Sequence, residues 1–249
     1  MSRSGTVVLA LFGLVVGACA TVSPTAGFAP IAFEHDRVLE RLREVHALGA
    51  ERRTVRAEGR LELDSPSGSG RFRQIILVER PTLLRLESQG PLGQTLSLLV
   101  TDGERYTYYD GEQLNGGSVS PFILTDHVGL DLDPAEAVLA LLVAPTTLRG
   151  TARAVFARDL DREVWTEFER LRFGPNGDLL SYASLDGAGN VRWNAEYESW
   201  KSVPGGRYPF HLVLSFPRTQ LRVELRLKTV ELNADLDRSL FRAPESFPR

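Results

Sequence analysis

The sequence is short of three things: cysteine, an excess of one charge, and hydrophobic runs long enough to span a bilayer. One cysteine, Cys19, stands in 249 residues, so an intramolecular disulfide is excluded. The 29 lysines and arginines nearly balance the 32 aspartates and glutamates, which gives a formal net charge of −3. That balance predicts no nucleic-acid partner, because nucleic-acid binding favours a basic excess. The apolar run at residues 6–16 is far shorter than the roughly 20 residues of a membrane-spanning helix.

Side chains that carry catalytic or metal chemistry are also sparse and scattered. The four histidines form no His-x-x-x-His pair, and with one cysteine there is no Cys-x-x-Cys pair. The close carboxylates Asp131 with Asp133, and Asp159 with Asp161, lie outside any glycine-bearing calcium loop. The sequence therefore predicts no metal, no cofactor and no catalytic residue, and an enzyme is the least favoured class of function.

Residues 1–18 are predicted to be an export signal that is removed. Arg3 precedes the apolar run, and small residues stand just before Cys19, as signal processing requires. This arrangement resembles the lipobox of bacterial lipoproteins, which implies cleavage before Cys19 and fatty acyl groups such as palmitate on that cysteine. The alternative is an ordinary signal peptide followed by a chance cysteine. In lipoprotein sorting an Asp after the cysteine favours the inner membrane, so the uncharged Ala20 predicts an outer-membrane lipoprotein facing the periplasm.

The rest of the chain divides into a tether at residues 19–33 and a single domain at residues 34–249. The tether is rich in Ala, Pro and Thr, and residues 20–32 carry no charge. Residues 34–50 have apolar side chains at helical spacing, which predicts an amphipathic helix. From residue 54 onward the apolar period is two, with turn signals such as Asp102-Gly103 and Asn115-Gly116 between short segments. Residues 163–173 are one such segment and are predicted to form a single strand. We predict a mainly β fold with a few helices, in which about eleven strands form a curved antiparallel meander and an unclosed β-barrel.

A second helix is predicted to interrupt this meander at residues 133–145. Asp133 suits the N-cap, Pro134 the first position and Glu136 a capping box, while Pro145 ends the segment. Between these ends Glu136 carries the single charge, so the helix is apolar nearly all round and must be buried on more than one side. It either fills the core or forms a lid over a bound apolar ligand.

Two stretches of the sequence resemble the LolB family of outer-membrane lipoproteins. Residues 84–95 contain a strand that leads into the turn Pro91-Leu92-Gly93, and residues 101–107 continue the pattern. Residues 133–145 stand where that family has an apolar helical region. The carboxyl end, residues 230–244, is more similar to the related periplasmic carrier LolA.

The resemblance implies an open β-barrel whose apolar concavity accepts the acyl chains of other lipoproteins. We accordingly expect a monomeric, lipid-anchored receptor that takes cargo from a LolA-like carrier and inserts it into the outer membrane. Leu92 maps onto the family's protruding apolar residue and is the candidate for membrane contact. The alternatives are a structural or assembly lipoprotein of the same fold, and a carrier of another apolar lipid.

Apolar side chains on the helix at residues 133–145 and on several strands are candidates for the cavity lining. Alternation alone does not decide which sheet face is concave. The candidates are Leu84, Leu86, Val138, Leu142, Phe168, Trp193, Phe210, Leu212 and Leu225.

Overall fold

A computed structural model describes residues 26–31, 35–144 and 152–243. The predicted signal at residues 1–18, Cys19 and tether residues 20–25, 32 and 33 lie outside the described residues. The described part of the predicted tether is not free of the domain, because Ala29 and Pro30 pair with Ala157 and Phe156 of the sheet. The helices are α1 (His35–Ala50), α2 (Ile123–Val128) and α3 (Pro134–Leu141), and a 3-10 helix spans Arg238–Phe241. The strands are β1 (Ala29–Pro30), β2 (Thr54–Ser65), β3 (Gly68–Glu79), β4 (Leu83–Gln89), β5 (Thr95–Thr101), β6 (Arg105–Tyr109), β7 (Leu114–Ser118), β8 (Ala154–Arg158), β9 (Asp161–Trp165), β10 (Glu169–Phe173), β11 (Leu179–Leu185), β12 (Val191–Val203), β13 (Gly206–Phe216) and β14 (Leu221–Leu232).

The fourteen strands of the described residues form one curved antiparallel sheet that does not close into a barrel, which confirms the predicted fold class. Neighbouring strands follow the order β1-β8-β9-β10-β11-β12-β13-β14-β2-β3-β4-β5-β6-β7. Most neighbours are consecutive in the chain, as a meander requires. Two pairings are long-range: β1 pairs with β8, and β14 pairs with β2 and so joins the two halves of the molecule.

The number of strands exceeds the expected eleven because of local features of the chain. Residues 163–173 were predicted as one strand, but Thr166 breaks them into β9 and β10, since its hydroxyl accepts hydrogen bonds from the backbone N–H groups of Phe168 and Glu169. Asn115-Gly116, predicted as a turn, lies within β7 at the edge of the sheet. An exposed edge tolerates the glycines that would weaken a central strand.

One face of the sheet and the three helices share the main hydrophobic core. Leu42 and Val45 of α1, Leu124 of α2 and Val138 of α3 are each at most 3% exposed. They pack with the alternate apolar side chains of the strands, because residues two apart point to the same face. The helices thus occupy the concavity of the sheet.

The start of α3 confirms the predicted capping box. The Asp133 carboxylate accepts a hydrogen bond from the Glu136 N–H at 2.7 Å, and the Glu136 carboxylate accepts one from the Asp133 N–H at 3.2 Å. Pro134 occupies the first turn, where no N–H is needed. The helix ends at Leu141, and Pro145 lies outside the described residues.

A smaller cluster lies on the opposite face of the sheet. The chain after β14 crosses this face and buries Leu236 and Phe241 against Leu77, Leu98 and Val100. Both faces of β3 and β5 are therefore covered. Within the described ranges, no helix is both long and apolar enough to cross a membrane.

Candidate functional site

A cavity of about 130 Å³ lies between the sheet and the segment that contains α2 and α3. Strands β2 to β6, β13 and β14 supply its walls, and residues from Val128 to Leu141 supply its roof. The residues that line it are Leu61, Leu63, Gln74, Ile76, Leu86, Ser88, Ser97, Leu99, Tyr108, Val128, Leu130, Leu132, Ala137, Leu141, Leu214, Val223 and Leu225. The lining is almost wholly apolar, so the space suits a hydrocarbon.

The walls are built from cross-strand rows of side chains. In one row Ile76 of β3 is paired with Leu86 of β4, which is paired with Leu99 of β5, which is paired with Tyr108 of β6. The alternation of each strand brings these four side chains to one face. The row forms a continuous apolar surface across four strands.

The roof is tied to the sheet at both ends of α3. At the start, Arg192 of β12 donates two hydrogen bonds of 3.0 Å to the Glu136 carboxylate. At the end, Tyr197 donates to the Ala140 carbonyl at 3.0 Å, and Tyr208 donates to the Leu141 carbonyl. Burial raises the pKa of both tyrosines, so their hydroxyls remain donors at neutral pH.

The loop between α2 and α3 is also bound to the sheet. Arg218, between β13 and β14, donates to the Asp131 carboxylate at 2.9 Å. That hydrogen bond holds the pKa of Asp131 below its usual value. The roof is therefore fixed over the cavity by polar contacts outside it, while its inner face stays apolar.

Three polar side chains interrupt the apolar wall next to the turn between β4 and β5. Gln74 is 3% exposed and Ser88 is 9% exposed, and the Ser88 hydroxyl donates to the Gln74 amide oxygen at 2.8 Å. Ser97 is the cross-strand partner of Ser88. We call these three residues the polar row.

The turn that follows the polar row presents Leu92 to solvent. The Leu92 side chain is 93% exposed, whereas Leu84 of β4 and Leu98 of β5 are fully buried. The Gly90 N–H donates to the Gln94 carbonyl at 2.9 Å, and Gly93 has φ of +82°, a value that favours glycine. Because Ser88 and Ser97 flank this turn, Leu92 lies at the same end of the sheet as the polar row.

The structure places the candidate lining residues in three groups. Leu86 and Leu225 line the cavity. Five lie in the surrounding core without lining it: Leu84, Val138, Leu142, Trp193 and Leu212. Phe210 is half-buried at the edge of that core, with the Lys201 ammonium 4.3 Å from its ring centre.

Phe168 requires a correction. It lies in the turn between β9 and β10 and is 42% exposed, so it does not line the cavity. The prediction treated residues 163–173 as one strand, and the turn at Thr166 removes Phe168 from the alternation. Cys19, the predicted lipidation site, is outside the described residues.

Sequence reasoning missed the polar row and the roof residues Val128, Leu130 and Leu132. A signal for the polar row was present, because Gln74 stands in the same phase of β3 as Ile76 and Val78. A polar residue in an apolar phase indicates a functional or specially hydrogen-bonded position. Among the residues described, no group of three or more His, Cys, Asp or Glu is placed to hold a metal.

Comparison with known proteins identifies the fold. No family model matches the sequence, and no curated protein matches it. Solved structures share the architecture, among them three at 9–12% sequence identity. A LolA superfamily protein from Nitrosomonas europaea has a TM-score of 0.51 at 12% identity, covering 81% of this chain and 97% of its own.

The other two structures agree with the first. A domain of an outer membrane lipoprotein-sorting protein from Vibrio parahaemolyticus has a TM-score of 0.50 at 12% identity, with coverage of 82% and 95%. A DUF1329 family protein from Desulfovibrio piger has a TM-score of 0.52 at 9% identity, with coverage of 81% and 97%. At these identities the likeness concerns the fold.

Proposed function

We propose that this chain, which has the fold of LolA superfamily proteins, is a lipid-anchored acyl-chain-binding protein that receives lipoproteins and helps to insert them into the outer membrane. The observation that carries the proposal is the apolar cavity under α3, with the exposed Leu92 at the end of its wall. The cavity provides a place for an acyl chain, and Leu92 provides a contact with the membrane.

The energetics of acyl chains explain the need for such a cavity. Each methylene exposed to water costs about 0.8 kcal/mol, so a chain of a dozen methylenes costs on the order of 10 kcal/mol. A lipoprotein therefore crosses an aqueous compartment only with its chains covered. A receptor of matching apolarity accepts the chains and passes them to the bilayer.

The size of the cavity indicates what must move. A dry protein cavity of about 150 Å³ accommodates benzene, so a cavity of about 130 Å³ holds roughly six carbons of an acyl chain. A longer chain requires the segment with α2 and α3 to move away from β3 and β4. The resting state is then a closed state of the receptor.

The anchor completes the proposal. Acyl groups on Cys19 would hold the protein in the outer membrane, and because β1 joins the sheet at Ala29, an extended tether of residues 20–27 would reach on the order of 25 Å into the periplasm. A monomer at that distance could meet a soluble LolA-like carrier and still bring Leu92 to the bilayer.

The small cavity also favours a second candidate, a structural or assembly lipoprotein whose concavity is filled by its own side chains. Ligand pockets usually have volumes of about 300–1,000 Å³, well above the volume found here. The two candidates differ in whether an apolar ligand is taken up.

Binding of methyl decanoate tests the proposal. We expect the full chain with Cys19→Ala, which lacks the anchor, to bind this ester at one saturable site by isothermal titration calorimetry. Ala137→Leu adds three carbons to the cavity lining, so its affinity should fall at least tenfold, with a loss of about 1–3 kcal/mol in unfolding free energy. Ala183→Leu on β11, outside the cavity, is the matched control. An absence of saturable binding to the unblocked protein would favour the structural candidate.

A further inference from the structure

We infer that Gln74, Ser88 and Ser97 form a carbonyl-binding subsite, so that the cavity takes the ester or amide end of an acyl group together with its chain. The inference rests on the proposed function, because it assigns a ligand class to the same cavity. It goes further because it predicts that the cavity binds acyl groups more tightly than chains of the same length that lack a carbonyl.

The polar row lies in a wall of the cavity where apolar side chains would be buried at a lower cost in free energy. Burial of an amide or hydroxyl is unfavourable unless the group finds a hydrogen-bond partner. Gln74 and Ser88 partly meet this need through the 2.8 Å hydrogen bond between them. The neighbouring row of Ile76, Leu86 and Leu99 shows that these strands readily supply an apolar surface.

The polar row retains donors that face the cavity. The Gln74 amide nitrogen carries two hydrogens and donates one hydrogen bond, of 3.2 Å, to the Ile75 carbonyl. The Ser97 hydroxyl makes no side-chain hydrogen bond to any of the described residues. Donors without an acceptor suit a carbonyl oxygen, which has two lone pairs and no hydrogen.

The position of the polar row predicts how the ligand is oriented in the cavity. Gln74 is paired with Ser88, and Ser88 with Ser97, and on β3, β4 and β5 this is the last cavity-lining row before the turn that holds Leu92. On the same strands the apolar row of Ile76, Leu86 and Leu99 lies on the side away from this turn. The methylene chain therefore lies along the apolar row, and the carbonyl faces the turn through which we propose that cargo leaves.

A comparison of ligands across variants tests this subsite. The full chain with Cys19→Ala is titrated with methyl decanoate, with N-methyl decanamide and with decyl methyl ether, which has the same chain length but no carbonyl. A double variant adds Gln74→Met and Ser88→Ala, replacing both partners of the buried hydrogen bond by apolar groups, a change that is often nearly neutral for folding. The ligands differ in solubility, but this difference contributes equally to the ester-to-ether affinity ratio of every protein. It therefore cancels when the ratios of two proteins are compared.

We expect the double variant to lower the ester-to-ether and amide-to-ether affinity ratios about three- to tenfold, the worth of one hydrogen bond. A fall in one ratio alone would identify the ester or the amide as the ligand.

Ser97→Ala should also lower the ratios, and it keeps the test open if the double variant fails to fold. Ser215→Ala, on the other face of β13, should leave them unchanged. Unchanged ratios in both cavity variants would overturn the subsite. If none of the three ligands bound to the protein, the proposed function itself would be overturned.

Discussion

Leu92 combines exposure with a rigid setting. Its side chain is 93% exposed, and its own N–H donates to the Gln94 side chain at 3.1 Å. Single exposed apolar residues are common on protein surfaces, so exposure alone carries little weight. The position of Leu92, at the tip of a turn whose flanking strands line an apolar cavity, is what suggests membrane contact.

Leu92→Glu should therefore separate cargo capture from delivery. Because the residue makes little contact with the protein, we expect the unfolding free energy to change by less than about 0.5 kcal/mol. Transfer of a bound lipoprotein to liposomes should fall at least tenfold, since a carboxylate resists entry into the bilayer. Leu160→Glu, in the exposed turn between β8 and β9, is the matched control. Delivery by Leu92→Glu at the unaltered rate would remove the membrane role of this residue.

Glu224 of β14 is the second residue with a testable consequence. It is 8% exposed, and Arg222 donates to its carboxylate at 2.6 Å. This hydrogen bond, with contributions from His211 and Arg226, lowers the pKa of Glu224 to about 2 from its usual value of 4.5. A lowered pKa stabilises the folded state above the unfolded pKa, and the stabilisation is lost as the pH falls from about 4.5 toward 2.

Glu224→Gln should remove this pH-dependent stabilisation of the folded state. We expect the variant to be less stable than the original protein by about 1.5–3 kcal/mol at pH 7, the range for a hydrogen bond to a charged group. The difference should shrink as the pH falls below about 4.5. Urea unfolding at several pH values measures it, and a difference that stayed constant down to pH 2.5 would contradict the assignment.

Among the elements, α3 links local sequence signals to the cavity. Its capping box sets where it begins, and the same Glu136 that completes the box receives two hydrogen bonds from Arg192. One carboxylate therefore closes the helix terminus and fastens the helix to β12. The apolar residues that follow are free to face the cavity and the core.

Asp133→Ala should destabilise the roof. The substitution removes the acceptor for the Glu136 N–H, so we expect a loss of about 0.5–2 kcal/mol in unfolding free energy. Urea denaturation followed by circular dichroism measures the loss. Asp235→Ala, an exposed aspartate outside the helices, should change stability far less. Equal stability of the two variants would mean that the cap contributes nothing to the fold.

At the scale of the whole molecule, the sheet formed by the described residues has no further strand beyond β1 or β7 at its two ends, and helices fill its concavity. An uncovered end is an edge with unpaired backbone groups, which a closed barrel would not have. An open sheet can change its curvature more readily than a closed barrel, because no ring of hydrogen bonds fixes its circumference. That freedom is what the entry of an acyl chain beneath α3 would require.

The whole-molecule prediction concerns the anchor. Cys19→Ala should move the protein from the membrane fraction to the soluble fraction, because the folded body would lose its covalent lipid. Thermal unfolding of the body should remain the same. Mass spectrometry of the amino-terminal peptide of the original protein should show the added acyl groups. Persistent membrane association of Cys19→Ala would indicate another mode of attachment.

Local chemistry in the sequence was enough to predict the period-two strands, the start of α3 and the turn that exposes Leu92, because capping, alternation and turn formation involve residues only a few positions apart. The pairing of β14 with β2, the concave side of the sheet and the union of Gln74, Ser88 and Ser97 depend on contacts between distant segments. Such contacts leave no periodic signal, so the sequence does not show that these three polar side chains meet. Phe168 is misplaced for a local reason, the turn that the Thr166 hydroxyl forms. The elements thus follow from local backbone preferences, while the cavity and its polar row arise only when long-range strand pairing brings their walls together.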